Sequence, residues 1–296
     1  MKLGLPYQGS KNKIAFDLLS FIPPAKHFYD LFAGGCSMTH AAILSGKYSY
    51  FVVNDITDST KLFVDAISGK YRSENRWISR DDFLLLKDSD TYVRICWSFG
   101  NNQKQYLYGK DIEPYKKAFH YAYFFCDGSL FSLLGVDLMG VEKLAPSYDK
   151  YLRLKRVIRD TKGRIDLQSL QSLESLERLQ SLQSLQSLES LERLERLEGS
   201  YEKVDIKPNS VVYCDIPYRC TRGYLNDFDH DRYYDWVRDS KHIIFTSEYN
   251  MPNDFIPIKK IAVKSSFSST SNNTKAIECL FVHKSKVDKI YKPELF

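Results

Sequence analysis

The sequence predicts an α/β protein built on a doubly wound sheet. Three observations indicate this class. Residues 28–56 alternate between strand-like and helix-like composition, the same alternation returns over residues 210–283, and the segment between them has a different, mainly helical character. Strands that alternate with helices are typical of parallel sheets covered on both faces.

The first alternating segment predicts a βαβ unit. FYDLF is a short apolar and aromatic run, AGGCS has turn composition, MTHAAILSG favours a helix, and YFVVNDI predicts a second buried strand. A glycine-containing loop between the first strand and its helix is the building block of a doubly wound sheet.

The second alternating segment predicts the other half of the sheet. SVVYCDIPY is predicted as a strand, FDHDRYYDWVRDS as a helix and KHIIFTSEY as a further strand. IKKIAVKSS and AIECLFVHKS then predict a closing hairpin.

The middle segment, residues 60–166, is rich in helical stretches and ends in a cluster of basic residues. Residues 150–164 contain seven Lys or Arg. A solvated helix face is the ordinary interpretation of such a run. Nucleic acid is the alternative partner, because the chain has a net charge of +5 with 21 Tyr and 18 Phe, and cations with aromatic faces suit phosphates and bases.

Eleven leucines recur at every third position over residues 167–198, a segment with six Glu and three Arg. A period of three matches neither an α-helix nor a strand, although the helix propensities of Leu, Gln, Glu and Arg favour α-helix. No chemistry is assigned to this repeat. It is expected to be a folded spacer that packs on itself, on the helical segment or on a second copy of the protein, because its leucines need burial.

Composition narrows the classes of protein. There is no apolar run of about 18 residues for a membrane span, and the N-terminal residues lack the apolar stretch of a signal peptide, so a cytoplasmic location is expected. The six cysteines contain no C-x-x-C pair, which argues against a zinc site and a disulfide framework and predicts that no metal is required.

Three acidic residues fall at the ends of predicted strands. Asp30 precedes the small-residue turn, and Asp55 follows about twenty residues after it, where nucleotide-binding βαβ units place an acid on ribose hydroxyls. Asp215 begins DIPY, whose carboxylate, backbone carbonyl and aromatic ring suit a planar amine. Alone, each is equally compatible with a cap or a turn.

In combination these motifs resemble a known family. PYQGSK (6–11), DLFAGGCS (30–37), ND (54–55) and DIPY (215–218) occur in the order found in DNA adenine-N6 methyltransferases of the Dam type. SFGNN (98–102), FDH (228–230), SEYNMP (247–252) and IECLF (277–281) are similar to elements of its phage and prophage branch, which also suggests restriction and modification.

The resemblance implies a Rossmann-like S-adenosylmethionine-dependent sheet, double-stranded DNA as substrate and a flipped-out adenine. It implies a catalytic domain at 1–59 and 199–296, a helical target-recognition domain at 60–166, and the repeat insert at 167–198. The implied cofactor-binding residues are Tyr7, Lys11, Asp30, Phe32, Gly34, Asp55 and Asp215. The implied catalytic residues are Asp215, Ile216, Pro217 and Tyr218, and the DNA-binding residues are Lys150, Arg153, Lys155 and Arg156. Tyr218 would stack on the adenine, so Phe is expected to replace it without loss.

Two residues depart from the family pattern. Cys36 replaces the third small residue of the first motif, and Ile216 replaces the usual first Pro of the tetrapeptide, whose backbone carbonyl Ile also supplies. Cytosine-N4 methylation, RNA adenine methylation and a DNA-binding protein with weak turnover remain the alternatives. Cytosine-C5 methylation needs a nucleophilic thiol in a Pro-Cys step, and here no cysteine follows a proline.

Overall fold

The computed structural model describes residues 2–160, 173–188, 193–219, 228–264 and 275–291. Seven strands form one sheet: β1 (His27–Asp30), β2 (Tyr50–Asp55), β3 (Leu194–Glu198), β4 (Ser210–Asp215), β5 (Ile243–Glu248), β6 (Phe255–Lys264) and β7 (Lys275–His283).

The α-helices in the described ranges are α1 (Ala15–Leu19), α2 (Ser37–Ser45), α3 (Ser59–Ile67), α4 (Arg80–Leu86), α5 (Thr91–Cys96), α6 (Glu113–Phe124), α7 (Ser129–Leu133), α8 (Tyr148–Asp160), α9 (Glu174–Ser184), α10 (His230–Asp239) and α11 (Val287–Tyr291). Short 3₁₀ turns occur at Phe99–Asn101, Val141–Lys143, Leu185–Leu188, Tyr201–Lys203 and Lys284–Lys286.

The strand order in the sheet is β3-β2-β1-β4-β5-β7-β6. The first five of these strands are mutually parallel, and β7 lies antiparallel between β5 and β6. The predicted βαβ unit, the later strand–helix–strand segment and the antiparallel closing pair are all confirmed. Because parallel strands share their direction, the carboxyl ends of β1, β2, β4 and β5 meet at one edge.

Both faces of the sheet are covered, and the residues of its central strands are accordingly almost all buried. On one face Leu18 of α1 and Ala41 of α2 pack with Phe28, Tyr213 and other strand residues. On the other face Tyr233 and Val237 of α10 pack with Val212 and further residues of the sheet. Strand residues alternate between the two clusters, so every side chain of β4 from Val211 to Cys214 is buried.

The chain divides into two compact units. The first comprises Met1–Leu5, Gly9–Val64 and Ser190–Phe296, and contains the sheet. The second comprises Pro6–Gln8 and Asp65–Glu189, and its regular secondary structure in the described residues is helical. Its core is aromatic: the rings of Trp77 and Tyr108 are stacked at 5.8 Å, and Trp97 lies edge-on to Trp77 at 5.2 Å.

The leucine repeat belongs in part to the core of the second unit. Helix α9 confirms the predicted helical conformation over residues 174–184, and Leu176, Leu179 and Leu182 are buried on it. Three leucines at a spacing of three sweep about 120° around an α-helix, which is still one face. Arg178 fixes this helix further, because its guanidinium donates to the carbonyl oxygens of Ser98 (2.7 Å) and Cys96 (3.1 Å).

The expectation of a spacer insert ending at residue 198 is wrong at its C-terminal end. Leu194–Glu198 forms β3, which pairs in parallel with β2 at the edge of the sheet. A spacing of three places successive leucines on opposite faces of a strand, and here both faces offer apolar partners. Leu194 packs on the cluster of α1 and α2, whereas Leu197 packs on the cluster of α10. Residues 161–172 and 189–192 of the repeat and its flank lie outside the described residues.

Within the described ranges, no helix is both long and apolar enough to cross a membrane. The five cysteines described, Cys36, Cys96, Cys126, Cys214 and Cys279, are free thiols.

Candidate active site

Three acidic side chains lie at the ends of neighbouring parallel strands. Asp55 ends β2, Asp30 ends β1 and Asp215 ends β4, and these strands are adjacent in the sheet. Sequence analysis predicted all three at this edge. A sheet edge that gathers carboxylates is suited to a cationic or hydrogen-bond-donating ligand.

Asp30 is almost entirely buried beneath the turn between β1 and α2, called the first turn below. Its Oδ2 accepts a hydrogen bond from the Thr39 hydroxyl of α2 at 2.7 Å. Burial, together with the smaller effect of the nearby Asp215 and Asp55 carboxylates, raises the pKa of Asp30 to about 7, against the lowering effect of the Thr39 hydroxyl. Asp30 therefore changes charge near neutral pH.

Asp55 connects the turn to the end of β2. Its Oδ2 accepts from the backbone N–H of Gly34 at 2.8 Å, and its Oδ1 accepts from the backbone N–H (2.9 Å) and the hydroxyl (2.8 Å) of Thr57. Gly34 has φ of 47°, in the left-handed region that favours glycine. The Asp55 carboxylate thus joins the turn at Gly34 to the end of β2 by hydrogen bonds.

Cys36, one of the two departures from the family pattern, occupies a glycine-like backbone position. Its φ of 57° and ψ of 30° are left-handed, and its side chain is fully buried at the start of α2. Burial raises the pKa of the Cys36 thiol well above its ordinary value, so this thiol stays protonated.

Phe32 follows β1 and packs among aromatic rings. Its ring lies 5.2 Å from that of Tyr201 and edge-on to Phe228 at 5.6 Å and Tyr233 at 5.9 Å. It remains half-buried, so one part of the ring is accessible at the turn. Tyr7, in contrast, is grouped with the second compact unit, where it is half-buried.

Lys11 makes the closest ion pair of the site. Its Nζ lies 2.8 Å from Oδ1 of Asp215 and 2.6 Å from the hydroxyl oxygen of Tyr218. The ammonium also lies 4.9 Å from the centre of the Tyr218 ring. The side chain of Lys11 is 7% exposed and that of Asp215 22%, so the pair is screened from bulk water on the Lys11 side.

Glu278 of β7 completes this cluster. Its Oε1 accepts from the Tyr218 hydroxyl at 2.5 Å and lies 3.5 Å from Nζ of Lys11. The Tyr218 hydroxyl also lies 3.3 Å from Oδ1 of Asp215. Burial raises the pKa of both carboxyl groups, whereas Lys11 lowers both.

The hydroxyl of Tyr218 is therefore as engaged as its ring. Burial and the two carboxylates raise the pKa of Tyr218, which keeps the hydroxyl protonated. The ring itself lies 4.6 Å from that of Tyr249 after β5. The prediction that Phe would replace Tyr218 without loss rested on the ring alone, and these hydroxyl contacts argue against it.

The loop after β4 is held in place by a buried side chain and by a contact with α10. Ile216 is buried, and the carbonyl oxygen of Pro217 lies 2.7 Å from Nε2 of His230. His230 begins α10, whose N-cap residue Asp229 accepts from the backbone N–H of Arg232. Residues 220–227, which follow this loop, lie outside the described residues.

Glu248 adds another buried carboxyl group at the end of β5. Its Oε1 accepts from the backbone N–H of Tyr249 at 2.7 Å, and burial raises its pKa to about 7. Glu248, Glu278, Tyr249 and His230 lie in segments that carried the family resemblance, but sequence analysis gave them no role. A single Glu within the apolar run of β7 was the available signal for Glu278.

The four predicted DNA-binding residues differ in how far their side chains are buried. Lys150 is fully buried on α8, and its Nζ donates to the carbonyl oxygens of Glu142 (2.7 Å) and Tyr123 (3.0 Å). The prediction that Lys150 contacts DNA is therefore wrong. Arg153 and Arg156 are exposed on the same helix, and Lys155 is half-buried over the ring of Tyr151.

Among the described residues, no group of three or more His, Cys, Asp or Glu side chains has the arrangement of a metal site. A family model described as D12 class N6 adenine-specific DNA methyltransferase matches residues 7–132. The match contains Tyr7, Lys11, Asp30 and Asp55 and ends before Asp215. A search of the curated proteins gives no match to the chain.

Proposed function

We propose that this chain is a D12 class N6 adenine-specific DNA methyltransferase, the family whose model matches residues 7–132, and that Asp215, Ile216 and Tyr218 act directly on the target adenine. The enzyme transfers a methyl group from S-adenosylmethionine to adenine N6 in DNA. The seven-stranded mixed α/β sheet is consistent with a methyltransferase fold. The observation that carries the residue assignment is the position of Asp215, at the end of the central strand β4 and in contact with Lys11 and Tyr218.

Asp215 would hold one hydrogen of the adenine amine, and the Ile216 carbonyl oxygen the other. The lone pair of this amine is delocalised into the ring, which makes it a weak nucleophile. Two acceptors on its hydrogens favour the localised, tetrahedral nitrogen that is reached in the transition state. Lys11 and Tyr218 both contact Oδ1 of Asp215, so we assign Oδ2 to the amine.

The rings of Tyr218 and Tyr249 offer apolar faces to the adenine. The base must leave the duplex to reach the edge of the sheet, and stacking on an aromatic ring replaces part of the stacking it loses. His230 supports this role, because its contact with the Pro217 carbonyl holds the loop that carries Tyr218.

The residues of the first turn suit S-adenosylmethionine. Five carboxyl groups lie at this end of the sheet (Asp30, Asp55, Asp215, Glu248 and Glu278), with the Lys11 ammonium among them. That balance favours a ligand with a sulfonium and an ammonium group. Asp55 would accept from the ribose hydroxyls, the Gly34 turn and Phe32 would line the cofactor, and Asp30 would support the turn. Bound there, S-adenosylmethionine supplies an electrophilic methyl group. Tyr7 and Lys11 are proposed to help enclose it.

We propose that the helical second unit recognises DNA. The recognition domain would correspond to 60–166, with helix α9 of the repeat packed into its core. The catalytic domain would correspond to 1–59 and 199–296 together with β3, which pairs with β2 in the sheet. Arg153, Lys155 and Arg156 are the proposed phosphate contacts, since Arg153 and Arg156 are exposed on α8. Membership of the phage and prophage branch, a role in restriction and modification and a cytoplasmic location stay predictions.

Methyl transfer to duplex DNA by the Asp215→Asn variant tests the assignment. We expect the rate to fall at least a hundredfold, while S-adenosylmethionine binding changes by less than about threefold, because the amide cannot accept on both of its atoms. Asp17→Asn, an exposed carboxylate change on α1, is the matched control and should retain the parent rate. Nucleoside analysis should give N6-methyladenine and no N4-methylcytosine. Turnover by Asp215→Asn within tenfold of the parent would remove Asp215 from the mechanism.

A further inference from the structure

Glu278 is a buried carboxylate that reaches the reacting end of Asp215 from another strand. The residue is 3% exposed. Glu278 lies on β7, which is paired on both sides. Its neighbour Cys279 pairs with Glu248 of β5, and Glu278 itself pairs with Ile261 of β6. Its position is therefore fixed from both sides by the sheet.

Two carboxylates share one ammonium in this cluster. Asp215 and Glu278 both contact Lys11, at 2.8 Å and 3.5 Å, and the Tyr218 hydroxyl lies between the two carboxyl groups at 3.3 Å and 2.5 Å. Two negative charges close together in a buried site oppose each other, so one of them takes up a proton more readily than an isolated carboxylate does. Burial is the main cause of the raised pKa of both groups, and the Asp215 charge raises the pKa of Glu278 further.

Methylation of an amine produces a proton that must leave. When N6 gains the methyl group it carries two hydrogens and a positive charge, and it becomes neutral by losing one of those hydrogens. Asp215 is the nearest acceptor if it holds the amine, which is the proposed function on which this inference depends. A protonated Asp215 accepts fewer hydrogen bonds, so the enzyme must also clear the proton from Asp215 before the next turnover.

We propose that Glu278 receives this proton from Asp215 through the hydroxyl of Tyr218. The N6–H bond breaks as an O–H bond forms on Asp215. The carboxyl group of Asp215 then rotates to bring this proton from the amine side to Tyr218. The proton passes to the oxygen of Tyr218 while the proton already on Tyr218 passes to Oε1 of Glu278, so that Tyr218 ends as it began. Lys11 keeps its three protons throughout. Glu278, which is 3% exposed, holds this proton until the methylated base leaves and water reaches the site, so the charge that entered with the methyl group has left the amine.

Other ionisable groups face Glu278 from several parts of the fold. Lys11 lies in the N-terminal segment, Asp215 and Tyr213 on β4, Tyr218 after β4, and Glu248 and Tyr249 at the end of β5. The β6 residue paired with Glu278 is the uncharged Ile261. In the described contacts, no hydroxyl group joins Glu248 to Asp215 as Tyr218 joins Glu278 to Asp215. Oε1 of Glu248 accepts instead from the backbone N–H of Tyr249. Tyr218 is the group that joins Asp215 to Glu278.

The test compares Glu278→Gln with the parent in multiple-turnover methylation of duplex DNA between pH 6 and 9. Glutamine keeps the shape of the side chain and an oxygen that accepts from Tyr218, but it does not take up a proton at these pH values. We expect the rate with Glu278→Gln to fall at least tenfold at pH 7, while the dissociation constants for S-adenosylmethionine and DNA stay within threefold. We also expect added imidazole to restore the rate in proportion to its neutral form, because a soluble base can take the proton instead.

Tyr218→Phe provides the second measurement, because it removes the bridge and keeps the ring. It should lose rate to the same extent as Glu278→Gln, and the double variant should be no slower than either single variant. Asp17→Asn is the control for a carboxylate-to-amide change. Unfolding temperatures identify any variant that fails to fold, and Glu278→Asp, which restores a titrating carboxyl, should then recover part of the rate.

An unchanged pH–rate profile for Glu278→Gln would overturn the proposal, as would a loss of rate that imidazole does not restore. Failure of the proposed function is distinguishable from either result. In that case Asp215→Asn would retain activity, whatever the behaviour of Glu278→Gln.

Discussion

The backbone of Gly4 lies against the carbonyl oxygen of Gly35, so close that a Cβ atom at residue 4 would be 2.3 Å from that oxygen. Leu5 donates its backbone N–H to the same oxygen at 2.7 Å, and the Gly4 N–H donates to Nδ1 of His40 at 2.9 Å. The N-terminal segment is therefore attached, by backbone contacts, to the turn between β1 and α2.

Gly4→Ala should disrupt this attachment. The new methyl group would collide with backbone atoms of Gly35 and Ser37, and the φ of 64° at Gly4 is unfavourable for alanine. We expect a loss of about 2–4 kcal/mol in unfolding free energy and weaker S-adenosylmethionine binding, measured by denaturant titration and calorimetry. Gly46→Ala is the control: it has a similar φ of 67° and open space around it, so its loss should be near 1 kcal/mol. Equal losses for both variants would contradict the backbone contact.

Asp55→Asn should weaken S-adenosylmethionine binding by about 1.5–3 kcal/mol, because hydrogen bonds to a charged acceptor are lost. Isothermal titration calorimetry measures this directly. Thr57→Val is the matched control, since it removes a hydroxyl that donates to Asp55 without changing the carboxylate. It should lower the unfolding temperature and leave the cofactor dissociation constant within threefold. If Asp55→Asn also leaves that constant unchanged, Asp55 serves only to fix the turn.

Asp30→Asn should stabilise the protein at high pH. The pKa of Asp30 is raised in the folded state to about 7 from 3.8, so its ionisation costs folding free energy as the pH rises from about 4 through 7. Asparagine keeps an acceptor for Thr39 and has no charge to bury. We expect a gain of roughly 2–4 kcal/mol at pH 8 that disappears by pH 4, from urea titrations of parent and variant at each pH. Comparison at the same pH cancels the titration of His40, whose pKa burial lowers to about 4. A difference independent of pH would show that Asp30 is not neutral when the protein is folded near pH 5.

Replacing Arg153 and Arg156 together with Gln should weaken DNA binding and lower the salt slope by about two, since each phosphate contact contributes close to one. Fluorescence anisotropy at several salt concentrations provides the slope. Lys150→Met should keep the slope but destabilise the protein by about 2–4 kcal/mol, because the carbonyl oxygens of Tyr123 and Glu142 lose their donor. If the arginine pair leaves the slope unchanged, α8 lies away from the DNA.

Local sequence patterns predict the sheet, apart from β3, and its acidic edge. Apolar runs that each end in Asp30, Asp55 or Asp215 predict strands, and parallel strands necessarily bring their carboxyl ends together. These are local patterns, so no knowledge of the partners was needed. The helical conformation of residues 174–184 followed in the same way from propensity.

Contacts between side chains that are distant in sequence could not be predicted and are known from the three-dimensional structure. Lys150 belongs to a basic run for which the sequence predicts exposure to solvent. Its ammonium group is instead buried, where it donates to the carbonyl oxygens of Tyr123 and Glu142. Leu194 and Leu197 continue the triplet pattern but form a strand, because β2 offers an open edge and both faces of the sheet offer apolar clusters. Glu278 reaches Tyr218 because β7 enters the sheet antiparallel beside β5. Burial and charge pairing depend on neighbours distant in sequence, and the spacing of residues along the chain does not contain that information.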